Sequence, residues 1–410
     1  MPGFLHVSTV ERARATLDKF WRPSSRTSVL ALEDVLGRVL AEDVISRMDV
    51  PPFDRASFDG YAVRASDTFG ADEGKPIELT LVARLRAGLW PKRRLRSGEC
   101  MEISTGAPIP TGADAVVMGE YASPEKGKVR IYRAVAPGEN VAERGSDLRR
   151  GRVVLQKGEV LTHIKAGLLA AVGVKRVRVF SPPRIAVIST GDELARPGGC
   201  LGKGKIYDVN GTALSGAVRE CGGNPVYLGI ARDRVSDIRK LIRKGLRKCD
   251  ILILSGGSSA GSGDVLPEIV NEMGSPGVIV HGLALKPGKP TFIAVLDGKP
   301  VFGLPGYPVS AMMVFDQLVA DYIRGLSGLP RPRRLNVRAR LSTRVISARG
   351  RKELIPVKMS GRDGPTAEPI LKGSGAVTSL SMADGYIEVP IERELLEEGE
   401  IVDVKLFGGA

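Results

Sequence analysis

The sequence is poor in the residues that build most metal centres. Its 410 residues include 3 histidines and 4 cysteines, all widely separated, and no two cysteines form a CxxC pair. A zinc, iron–sulfur or imidazole-bound metal site is therefore not expected. Any metal would have to bind oxygen ligands, which favours magnesium.

Aromatic residues and long apolar segments are scarce as well. Aromatics make up 5% of the chain and are not interleaved with basic residues, so we expect no nucleic-acid binding. No stretch of eighteen apolar residues occurs, so we expect no transmembrane helix and no membrane association. The N-terminal segment is charged and lacks the apolar part of a secretory signal. We therefore expect a cytoplasmic protein without disulfides.

Positive charge is what the chain has in excess. Lysine and arginine total 60 against 46 aspartates and glutamates, which gives a net charge of +14. An anionic partner is expected, and a small phosphorylated ligand fits as well as nucleic acid does. The basic runs at 92–94 and 331–334 lie beside prolines, and we interpret them as solvated loops. The length predicts two to four domains.

Hydrophobic spacing predicts a mixed first half. Helices are expected at 8–22 and at 31–41, the second because its apolar residues recur at helical spacing. From 51 to about 150 the chain is dense in glycine and proline and predicts a small β-rich domain. Its clearest strands are predicted at 77–85 and 115–118. A short helix beginning after Thr162 and a strand at 174–180 follow.

Residues 184–328 show the clearest pattern, since strand-length apolar runs alternate there with helical segments. This alternation predicts a parallel, three-layer α/β domain. The tail after residue 330 alternates at period two and predicts a small β domain. The predicted strands of the α/β domain are 185–188, 226–230, 251–254 and 300–303, and its predicted helices include 235–246 and a long closing helix at 308–326.

Glycine-rich and charged clusters follow these predicted strands directly. Because ligands bind outside the carboxyl ends of parallel strands, the clusters predict a site at that edge of the sheet. The clusters are 189–193, 232–233, 255–264 and 303–308.

Two of these regions suit an anion. The loop 255–264 can wrap backbone N–H groups around a phosphate, although no Gly-Lys-Ser/Thr follows to make it a Walker P-loop. Lys286 and Lys289 place two ammonium groups on a Pro-Gly turn, which also suits an anion. A flexible turn and a solvated turn are the respective alternatives.

Four carboxylates of the α/β domain are candidates to share a divalent cation that offsets substrate phosphate. The alternative for each is a helix N-cap or a surface carboxylate. They are Glu193, Asp208, Asp233 and Asp264.

Two further segments lie outside this domain. Residues 51–62 read Pro-Pro-Phe-Asp-Arg-Ala-Ser-Phe-Asp-Gly-Tyr-Ala, and residues 104–110 read Ser-Thr-Gly-Ala-Pro-Ile-Pro. Taken alone, Asp59-Gly60 predicts no more than a hairpin turn, and the second segment predicts a turn that ends a strand.

Together the motifs resemble one family. In order, they are Pro-Pro-Phe-Asp-x-x-x-x-Asp-Gly-Tyr-Ala at 51–62, Ser-Thr-Gly-Ala-Pro-Ile-Pro at 104–110, Ser-Thr-Gly-Asp-Glu-Leu at 189–194, Ser-Gly-Gly at 255–257, Lys-Pro-Gly-Lys-Pro at 286–290 and Leu-Pro-Gly-x-Pro-Val-Ser at 304–310. This set resembles the MoeA family, whose eukaryotic relative is the C-terminal domain of gephyrin. The resemblance covers nearly the whole chain and is weakest at its ends.

The resemblance implies an α/β multidomain fold and an elongated homodimer. A split helical and β domain is expected at 1–48 and 148–180, with a β-rich domain inserted at 49–147. A MogA-like, molybdopterin-binding α/β domain is expected at 181–328, and a small β domain at 329–410. The active site is expected at the dimer interface, with the inserted domain of one subunit facing the α/β domain of the other.

The reaction implied by the resemblance inserts molybdate, or tungstate, into adenylylated molybdopterin and releases AMP with Mg²⁺ present. Matching the family's motifs residue by residue implies catalytic roles for Asp59, Thr105, Asp147 and Glu193. It implies metal ligation by Glu193, Asp233 and Asp264. The substrate-binding residues implied are Ser255, Gly256, Gly257, Ser258, Asp233, Asp264, Lys286, Lys289, Pro305 and Pro308.

The chain departs from the family at two places that bear on ligand contacts. Tyr307 stands where many relatives carry asparagine, and the loop after Gly257 differs from the family's usual run. Two other functions stay open: a MogA-like molybdopterin adenylyltransferase, and a pterin-binding scaffold without turnover. The expected partners are the adenylylated pterin, molybdate, a second copy of the chain and, transiently, the adenylyltransferase and apo-molybdoenzymes.

Overall fold

The computed structural model describes residues 7–256, 265–332, 335–347, 349–361 and 364–407. The chain forms two compact units, one made of Met1–Ser28 and Val179–Ala410 and the other of Val29–Arg178. Within the described ranges no helix is long and apolar enough to cross a membrane.

The chain begins with helix α1 (Val10–Phe20), which confirms the helix predicted at 8–22. The hydroxyl of Thr9 caps it by accepting a hydrogen bond from the Arg12 N–H. Val10, Ala13 and Leu17 recur at helical spacing and are buried.

The unit Val29–Arg178 is built mainly of short strands, with one α-helix, α2 (His163–Ala171). Its 3₁₀ turns are Leu32–Asp34, Ala65–Thr68 and Gly119–Tyr121. The strands are β1 (Thr27–Ala31), β2 (Val44–Ile45), β3 (Arg55–Ala56), β4 (Gly60–Val63), β5 (Ile77–Leu85), β6 (Glu99–Ile103), β7 (Ala115–Met118), β8 (Ala122–Glu125), β9 (Lys128–Ile131), β10 (Val141–Ala142), β11 (Val153–Leu155) and β12 (Arg176–Phe180), and the chain passes between the units within β1 and within β12.

The helix predicted at 31–41 is wrong. Only a single 3₁₀ turn, Leu32–Asp34, forms there, and Gly37 takes a positive φ of 73° that ends any helical path. Val35 and Val39 are nevertheless fully buried, while Leu36 is exposed. The apolar residues at helical spacing are therefore buried individually by irregular backbone, and their spacing does not reflect a helix.

The inserted segment folds around a six-stranded sheet in the order β7-β4-β6-β5-β9-β8. Alternate residues of its strands are buried on opposite faces; Val63 lies in one core and Ala62 in the other. Strands β5 and β6 are parallel, whereas β4 runs antiparallel to β6. The ends of β5 and β6 and the start of β4 therefore meet at one edge, called here the insert edge.

The unit Met1–Ser28 with Val179–Ala410 carries the α/β domain, whose predicted strands and helices all form. Its helices are α3 (Val209–Glu220), α4 (Val235–Lys248), α5 (Val265–Asn271), α6 (Pro308–Val314) and α7 (Ala320–Leu326), with a π-helical turn, Phe315–Val319, joining the last two. Its strands are β13 (Arg184–Thr190), β14 (Leu194–Ala195), β15 (Ile206–Tyr207), β16 (Asn224–Ala231), β17 (Ile251–Ser255), β18 (Gly277–His281), β19 (Leu285–Lys286), β20 (Phe292–Leu296) and β21 (Lys299–Leu304).

Six of these strands form one sheet in the order β16-β13-β17-β21-β20-β18. The first four are parallel, but β20 is antiparallel to both β21 and β18. The predicted parallel arrangement therefore holds for four strands and is wrong for β18 and β20. Only two residues join β20 to β21, which is too short for a helical crossover. The parallel part includes every strand for which a ligand-binding end was predicted.

Helices cover both faces of this sheet and confirm three layers. Helices α3, α6 and α7 pack on one face, and α4 and α5 pack on the other. Helix α1 also packs into the first of these cores, although the predicted boundaries placed residues 1–48 in the split domain. The other predicted domain boundaries stay a prediction.

The C-terminal domain is a small closed barrel. Its elements are β22 (Asn336–Leu341), β23 (Val345–Ile346), β24 (Lys352–Ser360), β25 (Thr366–Pro369), α8 (Val377–Met382), β26 (Gly385–Val389), β27 (Leu395–Leu396) and β28 (Ile401–Leu406). Strands β24, β25, β22, β28 and β26 pair in a ring, since β26 also pairs with β24. Strand β19 of the α/β domain adds to β24 in parallel.

Candidate functional site

The carboxyl ends of three parallel strands meet at one edge of the α/β sheet, called here the strand-end edge. Strand β13 ends at Thr190, β17 at Ser255 and β21 at Leu304, and their registers align these ends. Gly256 follows at a φ of +108°, and a Cβ there would lie 2.2 Å from the Thr190 carbonyl oxygen. Only glycine therefore lets the loop after β17 pass this close to its neighbour.

Asn210, which the sequence analysis missed, ties these strand ends together. Its side-chain amide donates to Ser255 Oγ and to the Gly306 carbonyl oxygen, at 2.7 Å each. It lies in the first turn of α3 and is 7% exposed. The end of β17 and the loop after β21 are thus held against each other by one buried side chain.

Asp208 is a structural carboxylate, so its candidate role as a cation ligand is not supported. It is 2% exposed and caps α3 by accepting from the Gly211 N–H at 2.9 Å. Its other oxygen accepts from Ser189 Oγ at 2.7 Å and from the Tyr227 hydroxyl at 2.6 Å. Burial, together with this hydrogen bond, raises the pKa of Tyr227 well above its usual range.

Two of the three predicted metal ligands lie in adjacent loops at the strand-end edge. Asp233 and Asp192 bond to each other's backbone, with the Asp192 N–H donating to Asp233 Oδ2 at 3.2 Å. Glu193 follows Asp192 directly, and its carboxylate is exposed. Carboxylate oxygens of this kind suit magnesium, which commonly takes one or two of them together with substrate phosphates.

The third predicted ligand, Asp264, lies outside the described residues, as do Gly257 and Ser258. Among the residues that the structure describes, no group of three or more histidine, cysteine, aspartate or glutamate side chains is placed to hold a metal ion. Of the predicted ligands, Glu193 and Asp233 are the described ones, and a magnesium ion there would need ligand oxygens to complete its coordination.

The two predicted anion-binding lysines line a cavity of about 600 Å³ between the α/β domain and the C-terminal barrel. Pro305 and Tyr307, from the loop after β21, line the same cavity. Arg351 of the barrel adds a third cation that sequence reasoning missed. This cavity, called here the lysine cavity, opens beside the strand-end edge.

The two lysines differ in their surroundings. The pairing of β19 with β24 sets Lys286 beside Glu353, and its ammonium group lies 2.8 Å from Glu353 Oε1. Glu353 also accepts from the Ser347 hydroxyl at 2.6 Å. Lys289 is exposed, and no ion pair involves it within the described part of the chain. Lys289 therefore brings an uncompensated charge to the cavity, whereas part of the Lys286 charge is already neutralised.

Tyr307 lies at the mouth of the lysine cavity with 64% of its surface exposed. The barrel lies against it, since a Cβ on Gly375 would be 3.4 Å from the ring, and the Val309 N–H donates to the Ser374 carbonyl oxygen. Pro308 is the first residue of α6, where its fixed φ suits a helix start. Of the two prolines expected to bind substrate, Pro305 lines the cavity and Pro308 orients the helix beside it.

Asp59 and Thr105 meet at the insert edge. Asp59 Oδ1 accepts from the Thr105 N–H at 2.7 Å and from the Thr105 hydroxyl at 3.1 Å, and both side chains are exposed. Asp59-Gly60 is not a hairpin turn, because Gly60 begins β4. A Cβ on Gly60 would lie 2.0 Å from the Val117 carbonyl oxygen, so glycine is required beside the aspartate.

Asp147 lies in a loop that packs against the start of the 51–62 motif. Its N–H donates to the Val50 carbonyl oxygen at 3.1 Å, and the Gly145 N–H donates to the Pro51 carbonyl oxygen at 3.0 Å. Its carboxylate is exposed. The fold therefore brings this loop to the motif, while the described contacts join Asp59 to Thr105 rather than to Asp147.

Three family models match successive parts of the chain. The "MoeA N-terminal region (domain I and II)" matches residues 8–173, the "Probable molybdopterin binding domain" matches 186–325, and the "MoeA C-terminal region (domain IV)" matches 338–407. Together these matches account for most of the chain.

Curated relatives match along nearly their whole length. A molybdopterin biosynthesis protein of Methanocaldococcus jannaschii is 35% identical over 400 residues, which is 95% of each chain. The molybdopterin molybdenumtransferase of Bacillus subtilis is 33% identical over 393 residues, which is 94% of this chain and 91% of the relative. A crystal structure of the MoeA protein from Pyrococcus horikoshii superposes with a TM-score of 0.87 at 44% identity and covers 98% of this chain and 100% of that one.

Proposed function

The chain belongs to the MoeA family, and we propose from this that it is a molybdopterin molybdenumtransferase of molybdenum-cofactor biosynthesis. The observation that carries the proposal is the lysine cavity, where Lys286, Lys289 and Arg351 converge beside the strand-end edge. A cationic cavity next to strand ends suits an oxyanion and a phosphorylated ligand bound side by side.

The reaction proposed is insertion of molybdate, or of tungstate, into the dithiolene of adenylylated molybdopterin with release of AMP. The oxyanion is doubly negative, and the dithiolene and phosphates beside it are negative as well. Two unit charges about 4 Å apart repel each other by about 4 kcal/mol at an effective dielectric constant of about 20. The site must therefore supply positive charge, and Lys289 and Arg351 supply it without a described carboxylate partner.

The proposal includes Mg²⁺, held by Glu193 and Asp233, with Asp264 as a further expected ligand. When bound, the ion would neutralise phosphate charge and polarise the phosphoanhydride. The chain's own contribution is to hold Glu193 and Asp233 at the strand-end edge, since the N–H groups of Asp192 and Asp233 each donate to the other's carboxylate and so fix one loop against the other. The buried Asn210 likewise fixes the end of β17 against the loop after β21.

Release of AMP measured against magnesium concentration tests both parts of this proposal. With adenylylated molybdopterin and molybdate we expect AMP to be released in proportion to metal inserted. Glu193→Ala should raise the half-maximal magnesium concentration at least about tenfold, because loss of one ligand weakens metal binding. Glu220→Ala, which removes an exposed acid at the far end of α3, should leave the curve unchanged. Pterin binding is followed separately, and it should survive in both variants.

Two results would count against the proposed reaction. Consumption of ATP with free molybdopterin and no effect of molybdate would favour the adenylyltransferase. Tight binding of the adenylylated pterin with no AMP released under any magnesium or oxyanion condition would favour a scaffold. An unchanged magnesium curve in Glu193→Ala would remove that residue from the metal site while leaving the reaction in place.

We also propose a homodimer, on the strength of the family resemblance. The chain has a mass of 43.7 kDa, so light scattering should give about twice that value at micromolar concentration. Chains carrying Asp59→Asn can then be mixed and refolded with chains carrying Glu193→Ala. Hybrid dimers should regain activity if each site draws these two residues from different subunits. No recovery in a population shown to contain hybrids would contradict the shared site.

A further inference from the structure

The insert edge carries an exposed aromatic cluster whose purpose the proposed reaction leaves unexplained. Trp90 is 67% exposed and Leu89 is 59% exposed, although both belong to the apolar residues that folding usually buries. They lie in the loop 86–98 between β5 and β6. The Trp90 ring meets Phe53 edge to face, with ring centroids 5.6 Å apart and planes at 89°.

The topology of the insert places this cluster beside Asp59 and Thr105. Strands β5 and β6 are parallel, so the loop that leaves β5 and the segment that leaves β6 start from the same edge. The loop then returns alongside that segment, since the Leu95 N–H donates to the Thr111 carbonyl oxygen at 2.9 Å. Phe53 itself belongs to the same motif as Asp59. The aromatic cluster and the Asp59–Thr105 pair therefore share one edge of one sheet.

Three cations follow the tryptophan in this loop, after Pro91. Lys92, Arg93 and Arg94 are exposed, and Arg93 is held by Glu99 at 2.7 Å. Neither Lys92 nor Arg94 has an ion-pair partner in the described ranges. An open indole face and two unneutralised cations on one loop suit a ligand that is aromatic at one end and anionic at the other.

We propose that Trp90, with Lys92 and Arg94, forms a subsite for a purine nucleoside monophosphate, which rests on the proposed function and would there be the adenylyl group of the pterin substrate. The base stacks on the exposed face of Trp90, and the edge-on Phe53 ring keeps the indole from turning away. Lys92 and Arg94 attract the phosphate. The subsite holds the leaving adenylyl group at the insert edge, beside Asp59.

A protein partner fits this patch less well than a single nucleotide does. Stable protein interfaces bury about 800 Å² on each partner around an apolar centre. The exposed apolar side chains here are few, and cations border them within the same loop. A nucleotide needs only one stacking face and one phosphate contact, which is what the loop offers.

The two tryptophans of the chain allow a direct test with AMP alone. Trp21 and Tyr322, which pack against each other, both belong to the unit that does not contain Trp90. Trp21→Phe therefore leaves Trp90 as the only emitting indole. In that variant AMP should quench the Trp90 fluorescence saturably. Adenosine should bind with lower affinity, because it lacks the phosphate. The double variant Lys92→Ala/Arg94→Ala should remove most of the difference in affinity between AMP and adenosine, whereas the control variant Lys75→Ala should keep it. Equal affinity of the parent for AMP and adenosine would contradict the cationic half of the subsite.

Calorimetry extends the test to variants without the fluorophore. Trp90→Ala should weaken AMP binding about 5- to 150-fold, the usual range for loss of one base–aromatic stack, and Trp90→Phe should restore most of the affinity. Phe69→Ala is the matched control, because Phe69 is 58% exposed and follows the far end of β4. A Trp90→Ala protein that keeps its thermal unfolding temperature and binds AMP as the parent does would overturn the subsite. So would Trp90-dependent binding of a single-stranded oligonucleotide with no binding of AMP.

These outcomes separate the subsite from the reaction. Trp90-dependent AMP binding in a protein that never releases AMP from the pterin substrate would refute the proposed function and leave the nucleotide subsite standing. Normal turnover with unaltered AMP affinity in Trp90→Ala would refute the subsite alone.

Discussion

Asp59→Asn is expected to slow AMP release from adenylylated molybdopterin by about 100- to 10,000-fold while the pterin still binds, the range typical for loss of a general acid or base. Asparagine has nearly the same size and keeps an oxygen that accepts from the Thr105 N–H, so the insert edge should retain its shape. The change removes the negative charge and the site for a proton. Asp59 is proposed to position a water, or to accept a proton, as an oxygen leaves molybdate.

The matched control for this variant is Asp67→Asn. Asp67 also accepts hydrogen bonds from a backbone N–H and a hydroxyl, those of Gly98 and Ser97, but it lies away from the insert edge. Asp67→Asn should lower turnover little, even if it lowers the stability of the protein. Single-turnover AMP release and separate pterin titrations make the measurement. An Asp59→Asn protein with parental turnover would exclude proton transfer at this position and leave Asp59 with the task of holding Thr105.

Lys289→Ala should weaken molybdate binding about 10- to 150-fold, which corresponds to the roughly 1.5–3 kcal/mol of a charged hydrogen bond. The loss is large because no described carboxylate neutralises Lys289. Lys286→Ala should have a smaller effect on affinity, since Glu353 already offsets part of the Lys286 charge. It should also lower stability, because it leaves a mostly buried carboxylate without its ion pair. Calorimetric titration with molybdate at low salt measures the affinities.

Two further variants sharpen this test. Lys240→Ala removes an exposed lysine from α4, and it should leave molybdate affinity unchanged. Glu353→Gln keeps an acceptor for Ser347 but removes the charge that competes for Lys286, so it should strengthen binding of the dianion. Equal molybdate affinity in the parent and in Lys289→Ala would show that the cavity holds something other than the oxyanion.

The α/β domain was predictable from sequence because its interior is regular. The strand predicted at 251–254 lies within β17, whose residues are all buried, and α4 buries one face of the predicted helix at 235–246. The same reasoning failed at 31–41, where Val35 and Val39 are buried from irregular backbone at spacings that a helix would also give. The spacing of apolar residues predicts which residues are buried better than it predicts the backbone conformation that buries them.

The candidate site was predictable to the extent that it follows strand ends. Ser255 and Pro305 lie where the strand-end rule puts them. Arg351 and Glu353 were not predictable, because they reach the lysine cavity only through the pairing of β19 with a barrel strand distant in sequence. The meeting of Asp59 with Thr105 is set by the antiparallel register of β4 and β6, and the residues alone predicted only two turns.

The lysine cavity is lined by two segments that lie far apart in the sequence. Lys286 and Lys289 stand on a turn of the α/β domain, whereas Arg351 and Glu353 come from the C-terminal barrel. Substitutions in the barrel can therefore change the size and charge of the proposed oxyanion site without disturbing the loops proposed to hold the phosphates. Within this family, a lineage could shift its preference between oxyanions through the barrel alone, leaving the chemistry at the strand ends under separate selection.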